Sequence, residues 1–253
     1  MDALARDDQG VLYGLPIRAN IKSVVWYSLK AFAAHGYSVP NTDDELSALV
    51  KKIRTDGGTP WCLGIESGSS TGWIGTDWIE DYVLRIGGAE EYRKWAAGDI
   101  GFESDLFRQA ALKFKAVWDP RGNVAGGPSA IVSTSFATVA NTMFQSNPNC
   151  YLMKQGSFFT GFLPMSVQDN IDTEVGVFPL PKTDGGTQGV VGRAELAAAF
   201  TKDADVQAVL NRLLSDAFGG AWAKAGGWLS PHITFDGRKY PNETTRSIAA
   251  ILY

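Results

Sequence analysis

We predict an α/β fold from the sequence, because short β-branched and aromatic runs alternate along its 253 residues with amphipathic stretches of helical spacing. Elements of these lengths in alternation favour mainly parallel strand pairing. A hydrophobic content of 45% is enough for one large or two small cores, and no repeat of fixed period divides the chain. Trp (8) and Gly (28) are unusually frequent, so flat rings and tight turns need an explanation.

The first half of the chain contains one helix with clear start and stop signals. Thr42 can accept a hydrogen bond from the amide of Glu45, whose carboxylate can reach back, as in a capping box. Apolar residues then recur at helical spacing until Gly57 and Gly58 end the run. The other elements predicted before residue 120 are strands at residues 11–16, 22–27 and 61–65, a helix at residues 76–86 that stops at Gly87 and Gly88, and a helix at residues 107–118.

The second half continues the alternation. Strands are predicted at residues 150–153 and 175–178, and a helix follows Thr201 with its apolar face on residues 206–214. Residues 179–187 hold two prolines and two glycines. Because prolines stiffen a connection and glycines let it turn, this segment is predicted to cross between two substructures.

The charge pattern excludes two classes of partner. With 23 Lys and Arg against 27 Asp and Glu and a net charge of -4, the chain lacks the basic surface that nucleic acid or an anionic membrane requires. No apolar run approaches the roughly 20 residues of a membrane-spanning helix. The first ten residues have neither the basic flank nor the apolar core of a signal peptide.

Motifs for catalysis and cofactor binding are missing from the sequence. The two histidines, His35 and His232, are too few for a histidine-rich metal site, and each is expected to be structural. Neither a Gly-x-Gly-x-x-Gly fingerprint after a strand nor a Gly-Lys-Ser/Thr phosphate loop occurs. We therefore predict no metal, no cofactor and no catalytic residue.

Two carboxylates nevertheless leave an enzymatic alternative open. A glycosidase needs two carboxyl groups flanking a sugar, and Glu66 and Asp77 lie close enough in sequence to provide them. Asp77 is equally consistent with an acid in the first turn of a helix. The nearby Glu80 and Asp81 are expected to be solvated.

Residues 66–78 form the most informative stretch, where small polar residues and glycines lead into a helix with two indoles. Exposed amides, hydroxyls and flat rings are the groups that bind sugars, because a pyranose has one apolar face and a rim of hydroxyls. Trp73 and Trp78 lie five positions apart, so one ring should pack while the other faces a cleft.

Several segments in a specific order together resemble one family, the extracellular solute-binding proteins of ABC transporters (family 1), in the maltose-binding-protein-like branch that binds sugars such as α-glucosides. The resembling segments are residues 13–16, 24–27, 31–36, 40–46, 66–78, 153–159, 175–181 and 226–231, together with the helix after Thr201.

The resemblance implies a periplasmic-binding-protein-like type II fold that is truncated at both ends, with one nearly complete lobe plus part of the second lobe. Residues 11–180 would form mainly the C-terminal-type lobe, entered by the first hinge strand. Residues 181–222 would belong to the other, incomplete lobe, and residues 223–253 would form the return crossing and the C-terminal loop and helix.

The function implied by the resemblance is capture. The protein would bind an α-glucoside or oligosaccharide in an interlobe cleft and deliver it to the permease subunits of an ABC importer, without enzymatic activity. We expect a monomer at the periplasmic or extracellular face of the cell membrane, with membrane contact only through the transporter or a lipid anchor missing from this chain. A truncated remnant without binding activity is the further alternative.

The resemblance also assigns binding roles, residue by residue. The implied substrate-binding residues are Glu66, Ser70, Thr71, Trp73, Asp77, Gly156, Phe158 and Trp228. Glu66 and Asp77 would accept sugar hydroxyls, and Ser70 and Thr71 would contact the sugar at a helix start. Trp73 and Phe158 would stack on it, Gly156 would end the strand before Phe158, and Trp228 is a weaker third platform. Trp61, Trp118 and Trp222 are assigned to packing.

The two cysteines remain open between two states. Cys62 and Cys150 each lie at a predicted strand, so a disulfide is geometrically feasible if those strands are neighbours. It would constrain the unfolded chain by about 4 kcal/mol on the entropy model. Two buried free thiols are the alternative.

Overall fold

A computed structural model describes residues 5–6, 9–215 and 218–252. The predicted segments 181–222 and 223–253 each include residues outside this description. The strands are β1 (Leu15–Ile21), β2 (Val24–Ser28), β3 (Leu152–Lys154), β4 (Val175–Pro179) and β5 (Gly192–Ala197). The α-helices are α1 (Leu29–His35), α2 (Asp43–Thr55), α3 (Trp73–Ala97), α4 (Asp105–Trp118), α5 (Met165–Gln168), α6 (Ile171–Glu174), α7 (Ala204–Leu213), α8 (Gly220–Ala225) and α9 (Glu243–Ala250).

The strands form two small sheets. The order in one is β3-β2-β4, and β1 pairs with β5 in the other. All of these ladders are antiparallel, so the predicted predominance of parallel pairing is wrong. Parallel pairing occurs in the described residues as isolated bridges, such as those of Trp61 with Leu152 and Glu66 with Ser135. Alternation along the chain did not fix strand direction because β2 takes both neighbours from segments far away in sequence.

Two predicted strands differ from the structure. The strand expected at residues 11–16 begins only at Leu15, and Tyr13 is 68% exposed. Residues 61–65 are largely buried, as expected, but they pair through bridges instead of a regular ladder.

The helix signals correspond closely to the observed helices. Thr42 caps α2 by accepting from the Glu45 amide at 3.1 Å, and the Glu45 carboxylate accepts from the amide of Asn41 at 2.6 Å. The predicted stop at Gly88 is a kink instead, with φ 77° and ψ 177°, after which α3 resumes and ends at Ala97. Glycine is the residue that adopts this positive φ at little steric cost.

Two apolar clusters lie on opposite faces of β2. Val25 and Tyr27 point into a cluster that includes side chains of α2, α3 and α4. Val24 and Trp26 point into a second cluster with Phe159 and parts of α8 and α9. Successive side chains of a strand alternate between its faces, so one short strand can support two cores.

A disulfide joins Cys62 to Cys150, whose Cα atoms lie 5.2 Å apart across a sequence separation of 88 residues. Of the two states left open by the sequence, the structure therefore has the bridged one. The bond ties the buried segment that starts at Trp61 to the residues just before β3. Among the described residues, no helix is long and apolar enough to cross a bilayer.

Candidate functional site

Four aromatic rings form a continuous wall at the protein surface, which we call the aromatic wall: Trp73, Phe136, Phe158 and Phe162. Ring centroids lie 5.1 Å apart for Trp73 and Phe136 and 5.9 Å apart for Trp73 and Phe158. Phe162 closes the set, with its centroid 5.3 Å from Phe136 and 6.0 Å from Phe158. All four side chains are partly exposed, and Phe162 is 41% exposed. Such a surface can stack against the apolar face of a ring-shaped ligand.

Local backbone features put the two central rings in place. Trp73 begins α3 directly after Gly72, whose φ of 109° suits a residue without a side chain. Phe158 lies in the 3₁₀ helix Ser157–Phe162, which Gly156 precedes. A Cβ on Gly156 would lie 2.5 Å from Cε1 of Phe158, so the ring rests directly against the backbone there. Gly156 therefore acts through the space that it leaves for Phe158.

A buried lysine lies beside these two rings. The ammonium nitrogen of Lys22 is 4.7 Å from the Trp73 ring centroid and 5.0 Å from that of Phe158. It also donates to Oδ2 of Asp77 at 2.8 Å. Lys22 is only 6% exposed, and this desolvation lowers its pKa.

The carboxylates of Asp77 and Glu80 share an exposed cation at the edge of the wall. Arg193 of β5 approaches both, with its guanidinium 3.8 Å from Oδ1 of Asp77 and 3.8 Å from Oε1 of Glu80. Oδ1 of Asp77 is buried and accepts no hydrogen bond within the described part of the chain. Burial and the neighbouring Asp77 raise the pKa of Glu80, whose other oxygen accepts from Tyr92 at 3.5 Å. Burial and Glu80 raise the pKa of Tyr92 to about 12.

Asp81 lies at the centre of a fully buried ionic cluster, so its predicted solvation is wrong. Its carboxylate forms ion pairs with Arg85 and with Lys154, and Ser23 donates to it. Arg85 in turn donates to the carbonyl oxygens of Leu180 and Pro181, at 2.7 and 3.0 Å. Glu80 is also mostly buried, with a side chain 15% exposed. The cluster attaches α3, which carries Trp73 and Asp77, to the segment after β4.

The loop before α3 holds the other predicted contacts. Oε1 of Glu66 accepts from the Gly68 amide at 2.7 Å. Thr71 donates through its hydroxyl to the Gly68 carbonyl at 2.8 Å and accepts from the Ser67 amide at 3.0 Å. Ser70 and Thr71 are exposed, and Glu66 is half-buried. These side chains shape the loop, and the exposed ones are accessible to a ligand.

The tryptophans considered in the sequence analysis differ in how far each is exposed. Trp78 is 1% exposed and packs edge-on against Trp61 at 5.3 Å, whereas Trp73 stays partly exposed, which confirms that only one of the pair packs inside. Trp228, predicted as a third platform, is 0% exposed and donates to the Ile17 carbonyl at 3.0 Å. Its neighbour Trp222, assigned to packing, stacks on Trp228 with ring centroids 5.9 Å apart and is 39% exposed.

Gly219 explains why Trp228 is buried. A Cβ there would lie 2.1 Å from Cη2 of Trp228, so the absent side chain leaves room for the indole. Trp228 therefore packs in the second apolar cluster and presents no face to a ligand in this conformation.

A family model for bacterial extracellular solute-binding proteins matches residues 2–219. The chain belongs to this family. It is 38% identical over 245 residues to the Osmoprotective compounds-binding protein GgtB of Synechocystis sp., covering 96% of this chain and 57% of the relative. It is 34% identical over 250 residues to the Alpha-glucosides-binding periplasmic protein AglE of Rhizobium meliloti, covering 98% of this chain and 54% of the relative. The chain thus spans little more than half the length of either.

The solved structure of a chitin oligosaccharide binding protein has the same fold. It superposes with a TM-score of 0.77 at 18% identity, over 99% of this chain and 62% of that one. The periplasmic-binding-protein-like type II fold class predicted from the sequence is therefore confirmed. The family consists of binding proteins and not of enzymes, and its members are extracellular or periplasmic.

The geometry of this solute-binding protein also argues against the hydrolase alternative. Oδ2 of Asp77 forms an ion pair with the buried ammonium of Lys22 at 2.8 Å, so one of its two oxygens is already engaged within the protein and is not available to a substrate. Lys22 and Arg193 were not identified as site residues in the sequence analysis, because the acidic partners of each lie far away along the chain. Lys22 is the first residue of the strand predicted at residues 22–27, and that position gives no indication of an acidic partner.

Proposed function

We propose that this protein is the substrate-binding component of an ABC importer and captures an uncharged α-glucoside or related oligosaccharide at the aromatic wall. The observation that carries this proposal is the pairing of the partly exposed Trp73 and Phe158 rings with the buried carboxylate of Asp77. Stacking rings match the apolar face of a pyranose, and a carboxylate accepts from its hydroxyl rim. The names of two relatives, which refer to α-glucosides and to osmoprotective compounds, support a small polyhydroxylated ligand.

Each group at the wall has a distinct role in this proposal. Trp73 and Phe158 stack on the sugar. Asp77 accepts a hydroxyl through Oδ1, which has no hydrogen-bond donor among the described residues, as the 58% exposed Arg193 moves aside. Glu66, Ser70 and Thr71 lie on the neighbouring loop and contact the far end of an oligosaccharide.

We further propose that residues 11–180 belong mainly to one lobe and residues 181–222 to the other, with residues 223–253 returning toward the first. Exposed apolar side chains on and near β5 and α7 support this division: Leu196 is 44% exposed, Phe200 97%, Val209 58% and Leu214 50%. No residue of α7 is buried. Side chains of this kind would pack against further parts of their own lobe, consistent with relatives that are longer than this chain.

The partners and compartment follow from the same proposal. The ligand-bound protein is recognised as a monomer by the permease subunits of the importer, at the periplasmic or extracellular face of the cell membrane. Closure of the two lobes over the sugar would create the form that the transporter selects.

The proposal is tested by titrating the chain with maltose, trehalose and sucrose and following tryptophan fluorescence and ligand-observed NMR, which detect weak binding. We expect binding of at least one of these sugars, with most of the affinity lost in Trp73→Ala. Trp118→Ala is the matched control, because Trp118 is also partly buried but packs on Phe114 of α4, away from the wall. Binding that is unchanged in Trp73→Ala, or binding by none of the sugars, would contradict the proposal.

An assay for sugar release separates capture from hydrolysis. The chain is incubated with p-nitrophenyl α-glucoside, and we expect no liberation of nitrophenol. Release that disappears in Glu66→Gln would support the hydrolase instead.

A further inference from the structure

Three groups in the site have the chemistry of a cation cage. The rings of Trp73 and Phe158 present their negative π faces, and Asp77 adds a carboxylate. Two aromatic faces with an anion are the combination that proteins use to bind quaternary ammonium ligands. In this chain the cation position is already filled, because the Lys22 ammonium lies 4.7 and 5.0 Å from the two ring centroids and 2.8 Å from Asp77.

The chain holds Lys22 firmly in that position. Its backbone amide donates to the Val191 carbonyl at 2.8 Å. Its stem passes close to Gly156, where an added Cβ would lie 3.3 Å from Cδ of Lys22. With a side chain only 7% exposed, Lys22 is part of the site wall and not a surface cation that happens to pass over it.

We propose that Lys22 is a specificity-determining residue, whose ammonium fills the aromatic cage so that the site rejects quaternary ammonium solutes and admits uncharged ones. The inference rests on the proposed capture of an uncharged sugar at the same wall. Its physical basis is direct repulsion in a poorly hydrated site, since a second cation would have to displace the ammonium from Asp77 or lie beside it. An uncharged sugar meets no such repulsion and can stack on the exposed part of the same rings, beside the ammonium.

Two other cations lie near Asp77, and the experiment must show whether either can replace Lys22. Arg193 lies 3.8 Å from the other oxygen of Asp77 and is exposed enough to move toward the space that Lys22 leaves. Lys154 is a further cation nearby, but it pairs with Asp81 and donates to the Asp77 carbonyl at 3.0 Å. Removing Lys22 alone, and then together with Arg193, therefore separates the two cations that could occupy the cage.

The experiment compares choline with its uncharged isostere 3,3-dimethyl-1-butanol, using ligand-observed NMR and tryptophan fluorescence on the full chain. We expect the wild type to show no preference for choline. We expect choline to bind about tenfold tighter to Lys22→Met than to the wild type. If Arg193 moves into the cage of that variant, the same gain is expected in the double variant Lys22→Met with Arg193→Met. Adding Asp77→Asn to either variant should abolish the gain, because the cage loses its anion.

The matched control is Lys30→Met, which removes a lysine whose side chain is 69% exposed and which pairs with Glu174 away from the wall. It should leave choline affinity unchanged. Circular dichroism and urea unfolding check the fold of every variant, and Lys22→Gln replaces Lys22→Met if the latter does not fold. The proposal is overturned if neither the single nor the double variant gains choline affinity, or if the wild type prefers choline to the isostere.

A parallel titration of the wild type with maltose, trehalose and sucrose distinguishes the two proposals. Sugar binding without a choline gain in the variants would overturn the role of Lys22 and leave the capture function standing. A choline gain in the variants, when the wild type binds none of these sugars, would overturn the capture function and support only the exclusion of quaternary ammonium ions by Lys22.

Discussion

The buried ionic cluster around Asp81 should be the feature of this protein most sensitive to a single isosteric substitution. Asp81→Asn keeps the volume of the side chain but removes the negative charge that faces both Arg85 and Lys154. The side chains of Asp81, Arg85 and Lys154 are 0%, 0% and 1% exposed, so water cannot compensate the two cations. Removing one member of a buried ion pair costs about 3–5 kcal/mol, and here two cations lose their partner.

That loss should appear in unfolding experiments. For a chain of this size, about 3–5 kcal/mol corresponds to a fall in Tm of roughly 6–20 °C. Urea unfolding followed by tryptophan fluorescence measures the free energy of unfolding directly. The control is Asp105→Asn, because the Asp105 and Arg108 side chains are 83% and 62% exposed, and it should cost less than about 1 kcal/mol. A loss below about 1 kcal/mol in Asp81→Asn would show that this cluster does not anchor α3.

Three further predictions concern the disulfide, the backbone beside Phe158 and the pH response. Denatured, unreduced protein should contain no reactive thiol, and two reactive thiols would contradict the bridge. The double variant Cys62→Ala with Cys150→Ala should lower the free energy of unfolding by about 2–5 kcal/mol in urea titrations. Gly156→Ala should displace the Phe158 ring and weaken sugar binding about 2- to 10-fold in fluorescence titrations. Gly161→Ala is the control and should leave the sugar affinity unchanged, because a Cβ at Gly161 meets nothing within 4 Å. Burial and Asp77 raise the pKa of Glu80, so the folded chain holds this proton to higher pH than the unfolded chain does. The contribution of Glu80 to stability is therefore full below its ordinary pKa of 4.5 and falls as pH rises through the raised pKa. Glu80→Gln should flatten that part of the dependence of the urea midpoint on pH, and an unchanged slope would show that Glu80 does not cause it.

Local signals predicted the helices well and the sheets poorly, for a physical reason. The capping of α2 involves Thr42 and Glu45, which are neighbours in sequence, so their chemistry is visible in the sequence itself. The antiparallel direction of β3 and β4 relative to β2 depends on how long connections return, which no local pattern encodes.

The same limit applies to the candidate site. Trp73 and Phe158 were predicted as stacking rings, and the structure places their centroids 5.9 Å apart; their contact with a sugar remains a prediction. Lys22 could not be predicted as their neighbour, because its partner Asp77 is 55 positions away. Trp228 was misplaced because the space that buries it is left by the absent side chain of Gly219, which only the folded chain brings beside it.

Sugar binding at Trp73 can be measured by NMR, as intermolecular contacts between the indole protons of Trp73 and the ring protons of a bound α-glucoside. The variant Trp73→Phe assigns the indole signals. Capture at the aromatic wall predicts contacts from Trp73 to the apolar face of the sugar, and none from the buried Trp228. Sugar contacts confined to other tryptophans, with none at Trp73, would contradict it.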